Sequence, residues 1–149
     1  MRAVVQRVLS AKVTVDGDVV GAIDAGLLVY AGAAVDDTEA DVGYIAEKVA
    51  GLRIFPDGAG KMNLSVAEVG GAVLLVSAFT VTADARRGRR PSFDSSASGE
   101  VARPLIEALE GALRAAGLRV ATGRFAEHMR VESANDGPIC ILLDSRRVV

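Results

Sequence analysis

Four groups of residues in this chain have types and spacings suited to chemistry. Ser77-Ala78-Phe79-Thr80 places two hydroxyls near the end of an apolar run. A hydroxyl activated by a base can be a nucleophile, but one at a strand end can equally bond to backbone. The only histidine is His128, so a serine–histidine–acid arrangement rests on one candidate base. That histidine and the only cysteine, Cys140, form a second possibility, a thiol and its base. The alternative is a small strand cysteine and a surface histidine. Arg86-Arg87-Gly88-Arg89-Arg90 is the third group. Its guanidinium groups suit bidentate phosphate contacts, or else form a solvated charge run. Asn135-Asp136-Gly137-Pro138 is the fourth. By composition it is a turn, yet an X-Pro bond adopts cis at modest cost and glycine admits close approach of a ligand. Gly58-Ala59-Gly60-Lys61 lacks the full phosphate-loop spacing and reads as a turn.

The surrounding pattern must position these groups. Residues 3–9 and 12–15 read as strands, with Asp16-Gly17 a hairpin signal before Val19-Val20. Residues 26–32 form an apolar run that reads as a strand buried on both faces. Residues 38–49 carry Val42, Ile45, Ala46 and Val49 at helical spacing, and Thr38 with Asp41 resembles a helix cap. Strand character is expected again at 52–55 and 72–81, with a turn at Pro56-Asp57-Gly58. The polar stretch 84–99 is long for a loop, and such loops often carry function. A second helix is expected over 101–116 with Val101, Leu105, Leu109 and Ala112 inward, stopping near Gly117. Residues 119–122, 129–133 and 139–143 finish as strands. The expectation is α/β: one mixed-sheet domain over residues 1–149, with two main helices packed on β layers.

Composition narrows the function classes. At 149 residues the chain can bury a core without disulfides or metals. One Cys and one His fall short of a structural zinc site. The start, Met1-Arg2 followed by Gln6-Arg7, does not suit a signal peptide. The longest uncharged stretch is shorter than the roughly 18–20 residues needed to cross a bilayer. A soluble, cytoplasmic protein with no membrane role is expected. The net charge of −2 argues against a dedicated nucleic-acid binder, so contact with nucleic acid must come from a local patch.

Taken together, Val5-Gln6-Arg7-Val8, Gly60-Lys61-Met62-Asn63-Leu64, Ser77-Ala78-Phe79-Thr80-Val81, Gly88-Arg89-Arg90-Pro91-Ser92-Phe93, Thr122-Gly123-Arg124-Phe125 and Asn135-Asp136-Gly137-Pro138 resemble D-aminoacyl-tRNA deacylases in order and spacing. The resemblance covers essentially the whole chain. It implies a homodimer that hydrolyses the ester of tRNA mischarged with a D-amino acid or glycine, without a cofactor or catalytic metal. Its partner is the aminoacyl-tRNA acceptor end, not DNA. It implies a cis Gly137-Pro138 bond whose segment enters the other subunit's pocket and excludes L side chains, a discrimination by clash. Main-chain N–H groups of Phe79 and Thr80 would face the oxyanion, with Ser77 and Ala78 as pocket wall. The substrate's ribose hydroxyl would assist in place of a side-chain base. Arg7, Met129 and Asn135 would belong to the substrate-binding and chiral-rejection set, and Arg86, Arg87, Arg89 and Arg90 to tRNA phosphates.

Two motifs depart from the family pattern: in the first Ala78 replaces the usual Gln and Val81 the usual Leu, and in the second Ile139-Cys140 replaces Val-Thr. Main-chain chemistry would tolerate both. The alternatives are a tRNA-binding accessory module that has lost catalysis, and a Cys140/His128 thiol hydrolase.

Overall fold

The computed structural model describes residues 1–149. The chain runs β1 (Arg2–Val15), β2 (Asp18–Ile23), β3 (Gly26–Gly32), α1 (Glu39–Gly51), β4 (Phe55–Pro56), β5 (Met62–Leu64), β6 (Ala72–Ser77), a 3-10 turn (Phe79–Thr82), α2 (Gly99–Ala115), β7 (Arg119–Thr122) and β8 (Arg130–Asp144). The expected mixed sheet with two helices is what forms. The Asp16-Gly17 turn joins β1 to β2, with both residues at positive φ. The first half of β1 pairs with β3 and the second half with β2, while β8 runs antiparallel along the other edge of β1. Parallel pairing then adds β6 to β3 and β7 to β6. The sheet curls until β2 approaches β7, where the position of a Cβ on Gly21 lies 2.2 Å from the Thr122 carbonyl oxygen.

Alternation explains the continuous apolar runs. Leu27, Val29 and Ala31 of β3, with Val73 and Leu75 of β6, face the two helices. Leu28, Leu74 and Val76 face a second cluster with Val8, Val13 and Val15. A strand covered on both faces loses the polar half of its pattern. Helix α1 is capped as expected: the Thr38 hydroxyl accepts from the Ala40 N–H at 3.3 Å and the Asp41 carboxylate accepts from the Thr38 N–H at 2.8 Å. Beside this cap, the Met1 ammonium pairs with buried Asp37 at 2.6 Å and donates to the Ser145 hydroxyl at 2.7 Å.

Four expectations are corrected. Helix α2 buries Ala102, Ile106, Leu109 and Leu113; of the expected face Leu109 is buried, Leu105 and Ala112 pack half-buried against the core, and Val101 is 49 % exposed. Two apolar stripes share Leu109, and the one carrying Ile106 and Leu113 is the better filler against α1 and the sheet. Residues 52–54 are not strand, because α1 continues to Gly51 and only Phe55–Pro56 pairs with β5. The strand expected through residue 81 stops at Ser77, since its partner β3 ends at Gly32 and the ladder has nothing further to pair with. Finally, 129–133 and 139–143 are one strand, β8, and Asn135-Asp136-Gly137-Pro138 is a bulge within it. The long edge of β1 keeps pairing on both sides: Gln6 faces Cys140 and Val8 faces Asn135, so Arg7 alone stands opposite residues 136–139.

Candidate functional site

Where β6 ends, the chain turns tightly. The Ala78 N–H still donates to the Ala31 carbonyl at 2.9 Å, and the Ala78 carbonyl then accepts from the Val81 N–H at 3.2 Å. The first N–H groups of such a turn have no carbonyl one turn back to donate to. Those of Phe79 and Thr80 are in this position. The turn is held from behind: the buried Thr82 hydroxyl donates to the Phe79 carbonyl at 2.7 Å and lies 2.5 Å from the Ser96 hydroxyl. Gly32 lets the turn lie directly on β3, because a Cβ there would come within 2.6 Å of the Ala78 oxygen.

This turn forms one wall of a cleft of about 480 Å³. Ser77, Ala78, Phe79 and Thr80 all line it, as do Met129 and His128. Tyr30 of β3 and Phe125, just after β7, add aromatic surface. Burial pushes the Tyr30 phenol up from its ordinary pKa, so it remains an O–H at neutral pH. Neither ring was assigned to the site in sequence; the available signals were a tyrosine in the otherwise apolar run of β3 and the place of Phe125 in the motif 122–125. The cleft is mostly hydrophobic with a few polar side chains, Ser77 and Thr80 on the turn and Glu127 and His128 on the segment after β7, the usual make-up of a small-molecule site.

The other candidate residues gather elsewhere, at the β8 bulge. Gly137-Pro138 is a cis peptide. Arg7 Nε donates to the Asp136 carbonyl at 3.0 Å and pairs with its carboxylate at 3.2 Å, and Arg7 Nη1 donates to the Ile54 carbonyl at 2.6 Å. The Asn135 side chain spans the bulge, accepting from the Ile139 N–H and donating to the Ile139 carbonyl, both at 2.9 Å. Gly137 and Pro138 are exposed at the rim of this clamp. None of Arg7, Asn135, Gly137 or Pro138 lines the cleft of its own chain. Met129 does, so the set expected for chiral rejection is divided between two places.

The thiol alternative finds no geometry. Cys140 is exposed on β8 across from Gln6, with the Gln6 amide 3.7 Å from its sulfur, and it does not line the cleft that His128 borders. The arginine run caps a hairpin closed by mutual backbone bonds between Asp84 and Ser92, both 2.8 Å. Arg86 is engaged there, donating to Asp84 at 2.9 and 2.7 Å. That bonding holds the Asp84 carboxyl well below the usual carboxylate range and pushes Arg86 up. Arg87, Arg89 and Arg90 are exposed without such a partner. No helix is long and apolar enough to cross a membrane.

Comparison with known proteins identifies the family. The family model described as D-Tyr-tRNA(Tyr) deacylase matches residues 4–144. The D-aminoacyl-tRNA deacylase of Anaeromyxobacter dehalogenans is 60% identical over 99% of both chains. That of Symbiobacterium thermophilum is 57% identical over 99% of this chain and 97% of its own. Among solved structures, one named c-Myc DNA Unwinding Element Binding Protein superposes with a TM-score of 0.91 at 34% identity, covering 97% of this chain and 98% of that one. The chain belongs to the D-aminoacyl-tRNA deacylase family and is a hydrolase of the ester that joins a D-amino acid to tRNA.

Proposed function

We propose that the ester is cleaved in the cleft by main-chain chemistry. Water adds to the ester carbonyl, and the resulting oxyanion accepts hydrogen bonds from the Phe79 and Thr80 N–H groups. The carbon–oxygen bond to the terminal ribose then breaks. The departing ribose oxygen takes up a proton, and free amino acid and tRNA leave. The substrate's neighbouring ribose hydroxyl assists the proton movement. The observation that carries this reading is the 3-10 turn, which presents two N–H groups without partners in the turn on the wall of the cleft. A single preorganised donor of this kind contributes roughly 3–4 kcal/mol to the transition state.

Chiral rejection belongs to Gly137-Pro138 acting in trans. Two copies of the chain associate through the side that carries the outer edge of β8, and the bulge of one enters the cleft of the other. Its carbonyl oxygens occupy the space an L side chain needs. Glycyl esters have no side chain and are accepted. Three features support this: the bulge is clamped by Arg7 and Asn135 yet exposed at its tip, it does not line its own cleft, and exposed Leu142 and Leu9 lie on the same strand pair. The acceptor arm is held by Arg87, Arg89 and Arg90. Such a translation enzyme works in the cytoplasm, on one domain spanning residues 1–149 and without a cofactor. DNA binding is named for the structural neighbour and is not part of this reading.

The test compares D-tyrosyl-tRNA, L-tyrosyl-tRNA and glycyl-tRNA deacylation in Ser77→Ala and Thr80→Val. Side-chain removal should lower kcat by less than about tenfold, since the N–H groups remain. A fall of about a thousandfold or more in either variant would overturn main-chain catalysis. Light scattering on the wild type should give twice the chain mass; a monomer that still rejects the L ester would overturn action in trans.

A further inference from the structure

An exposed aromatic pair stands where the catalytic turn meets the arginine hairpin. Phe79 is 54 % exposed and Phe93 is 37 % exposed, although both are large apolar side chains. Their rings meet edge to face, with centroids 5.1 Å apart and planes at 67°. Phe79 lines the cleft, but Phe93 lies outside it. The pair therefore extends the cleft outward along one direction, toward the loop that carries Arg87, Arg89 and Arg90.

The connection is rigid. The Ser95 hydroxyl donates to the Thr82 carbonyl at 2.9 Å, Ser96 meets Thr82 at 2.5 Å, and Thr82 in turn holds the Phe79 carbonyl. The hairpin stem closes at Asp84 and Ser92, immediately before Phe93. Catalytic turn, aromatic pair and basic tip are thus one hydrogen-bonded unit. Arg86 is paired with Asp84, which leaves the exposed guanidinium groups of Arg87, Arg89 and Arg90 on the same hairpin without an ion pair.

Aromatic faces next to unpaired guanidinium groups bind single-stranded nucleic acid, with bases stacking on rings and phosphates meeting the charge. The geometry points to Phe93, with Phe79 behind it, as a stacking platform for the unpaired nucleotide that precedes the terminal adenosine. Its phosphate runs toward Arg89 and Arg90. This rests on the reading that the ester is held against the Phe79 and Thr80 N–H groups. It adds a second recognition element, outside the cleft, that senses the polynucleotide rather than the amino acid. A single-stranded RNA fits better than an apolar protein segment because of the three unpaired positive charges in an otherwise acidic chain.

The experiment measures kcat/KM for D-tyrosyl-tRNA and for D-tyrosyl-adenosine, which lacks every upstream nucleotide, and follows the ratio of the two. Phe93→Ala and Phe93→Leu should each lower that ratio roughly tenfold, as expected for loss of one base–aromatic stack. Phe93→Trp should preserve it. Leucine keeps apolar bulk, so it separates stacking from folding. An unchanged ratio in Phe93→Leu would overturn the platform. So would an equal loss on both substrates, which marks a structural ring. A change in oligomeric mass in Phe93→Leu would also overturn it, by assigning the ring to a contact between copies. Failure of main-chain catalysis would show differently, as a large loss on both substrates in Ser77→Ala or Thr80→Val with the ratio intact.

Discussion

Replacing Arg7 tests the link between the β1 ladder and the bulge it faces. The guanidinium is only 12 % exposed on its side chain and makes three contacts: the Asp136 carbonyl, the Asp136 carboxylate and the Ile54 carbonyl. They do not count equally. Asp136 is 44 % exposed, so its ion pair is screened and contributes about 0–1 kcal/mol. Ile54 is buried, and its carbonyl would lose a charged donor, at a cost of about 1–3 kcal/mol. The bond to the Asp136 carbonyl adds roughly another 1 kcal/mol. Arg7→Ala should therefore lose about 2–5 kcal/mol, which for a chain of this size is a fall of about 4–20 °C in Tm. Function should suffer more than stability, because displacing a bound group by about 1 Å costs on the order of a hundredfold in rate. Arg7→Lys keeps the charge but cannot reach two carbonyls and a carboxylate with one point donor, so it should behave more like Ala than like Arg. The assay is thermal unfolding by circular dichroism beside deacylation of D- and L-tyrosyl-tRNA, at a temperature where both variants are folded. If Arg7→Ala is destabilised by this amount yet keeps both the D rate and the D-to-L ratio, the bulge does not act on substrate.

Other perturbations probe separate parts of the molecule. Gly137→Ala puts a Cβ 2.3 Å from the Ile139 nitrogen, so the Asn135 clamp must open; D-tyrosyl-tRNA turnover should fall at least tenfold with little loss of helix signal, and wild-type turnover would refute it. Cys140→Ala should leave deacylation within about threefold of wild type, whereas abolished activity would restore the thiol mechanism. Arg89→Ala with Arg90→Ala should flatten the salt dependence of kcat/KM by about two charges, and Arg86→Ala by less; equal effects would mean that the Asp84 pair does not matter. Hydrogen bonding from the Arg86 side chain depresses the Asp84 pKa, so the stabilisation from this contact is complete above the ordinary Asp pKa of about 3.9 and is lost only as pH falls through the lower, folded value. A carbon-13 NMR titration of the Asp84 carboxyl should place its midpoint below the ordinary Asp value of about 3.9, and a midpoint at that ordinary value would contradict the contact.

Local chemistry was legible in sequence where one residue type has one physical use. Thr38 and Asp41 announce a helix start because their side chains complete the backbone bonds there. Asp16-Gly17 announces a hairpin because both residues tolerate positive φ. The α2 face was misread because its two stripes differ by one residue and share Leu109; only packing against α1 and the sheet selects between them. Strand ends were misread for a related reason. Ser77 ends β6 because β3 ends, and β8 continues through a Gly-Pro pair because β1 still offers an edge. In each case the deciding partner is distant in sequence. The hydroxyl segment, the arginine run and the Gly-Pro turn were found by type, and Arg7 and Met129 only through the family resemblance; their division between cleft and bulge depends on register, which composition does not carry.

That division also accounts for the two departures from the family pattern. Ala78 contributes to the turn with its N–H, to Ala31, and its carbonyl, to Val81. Neither bond uses a side chain, so exchanging Gln for Ala leaves the turn and its neighbouring N–H groups as they are. Cys140 sits in the β1 ladder opposite Gln6, one pair beyond the bulge, where the strand requires a backbone and little else. The clamp on the bulge comes from Arg7 and Asn135, both unchanged from the motifs that carry the resemblance. A site built from main-chain atoms constrains the residues that shape the backbone more tightly than those that face the substrate. Substitutions at Gly32, Thr82, Asn135 and Gly137 should therefore do more damage than substitutions at Ser77 or Ala78, although Thr82, Asn135 and Gly137 do not line the cleft and the latter pair does.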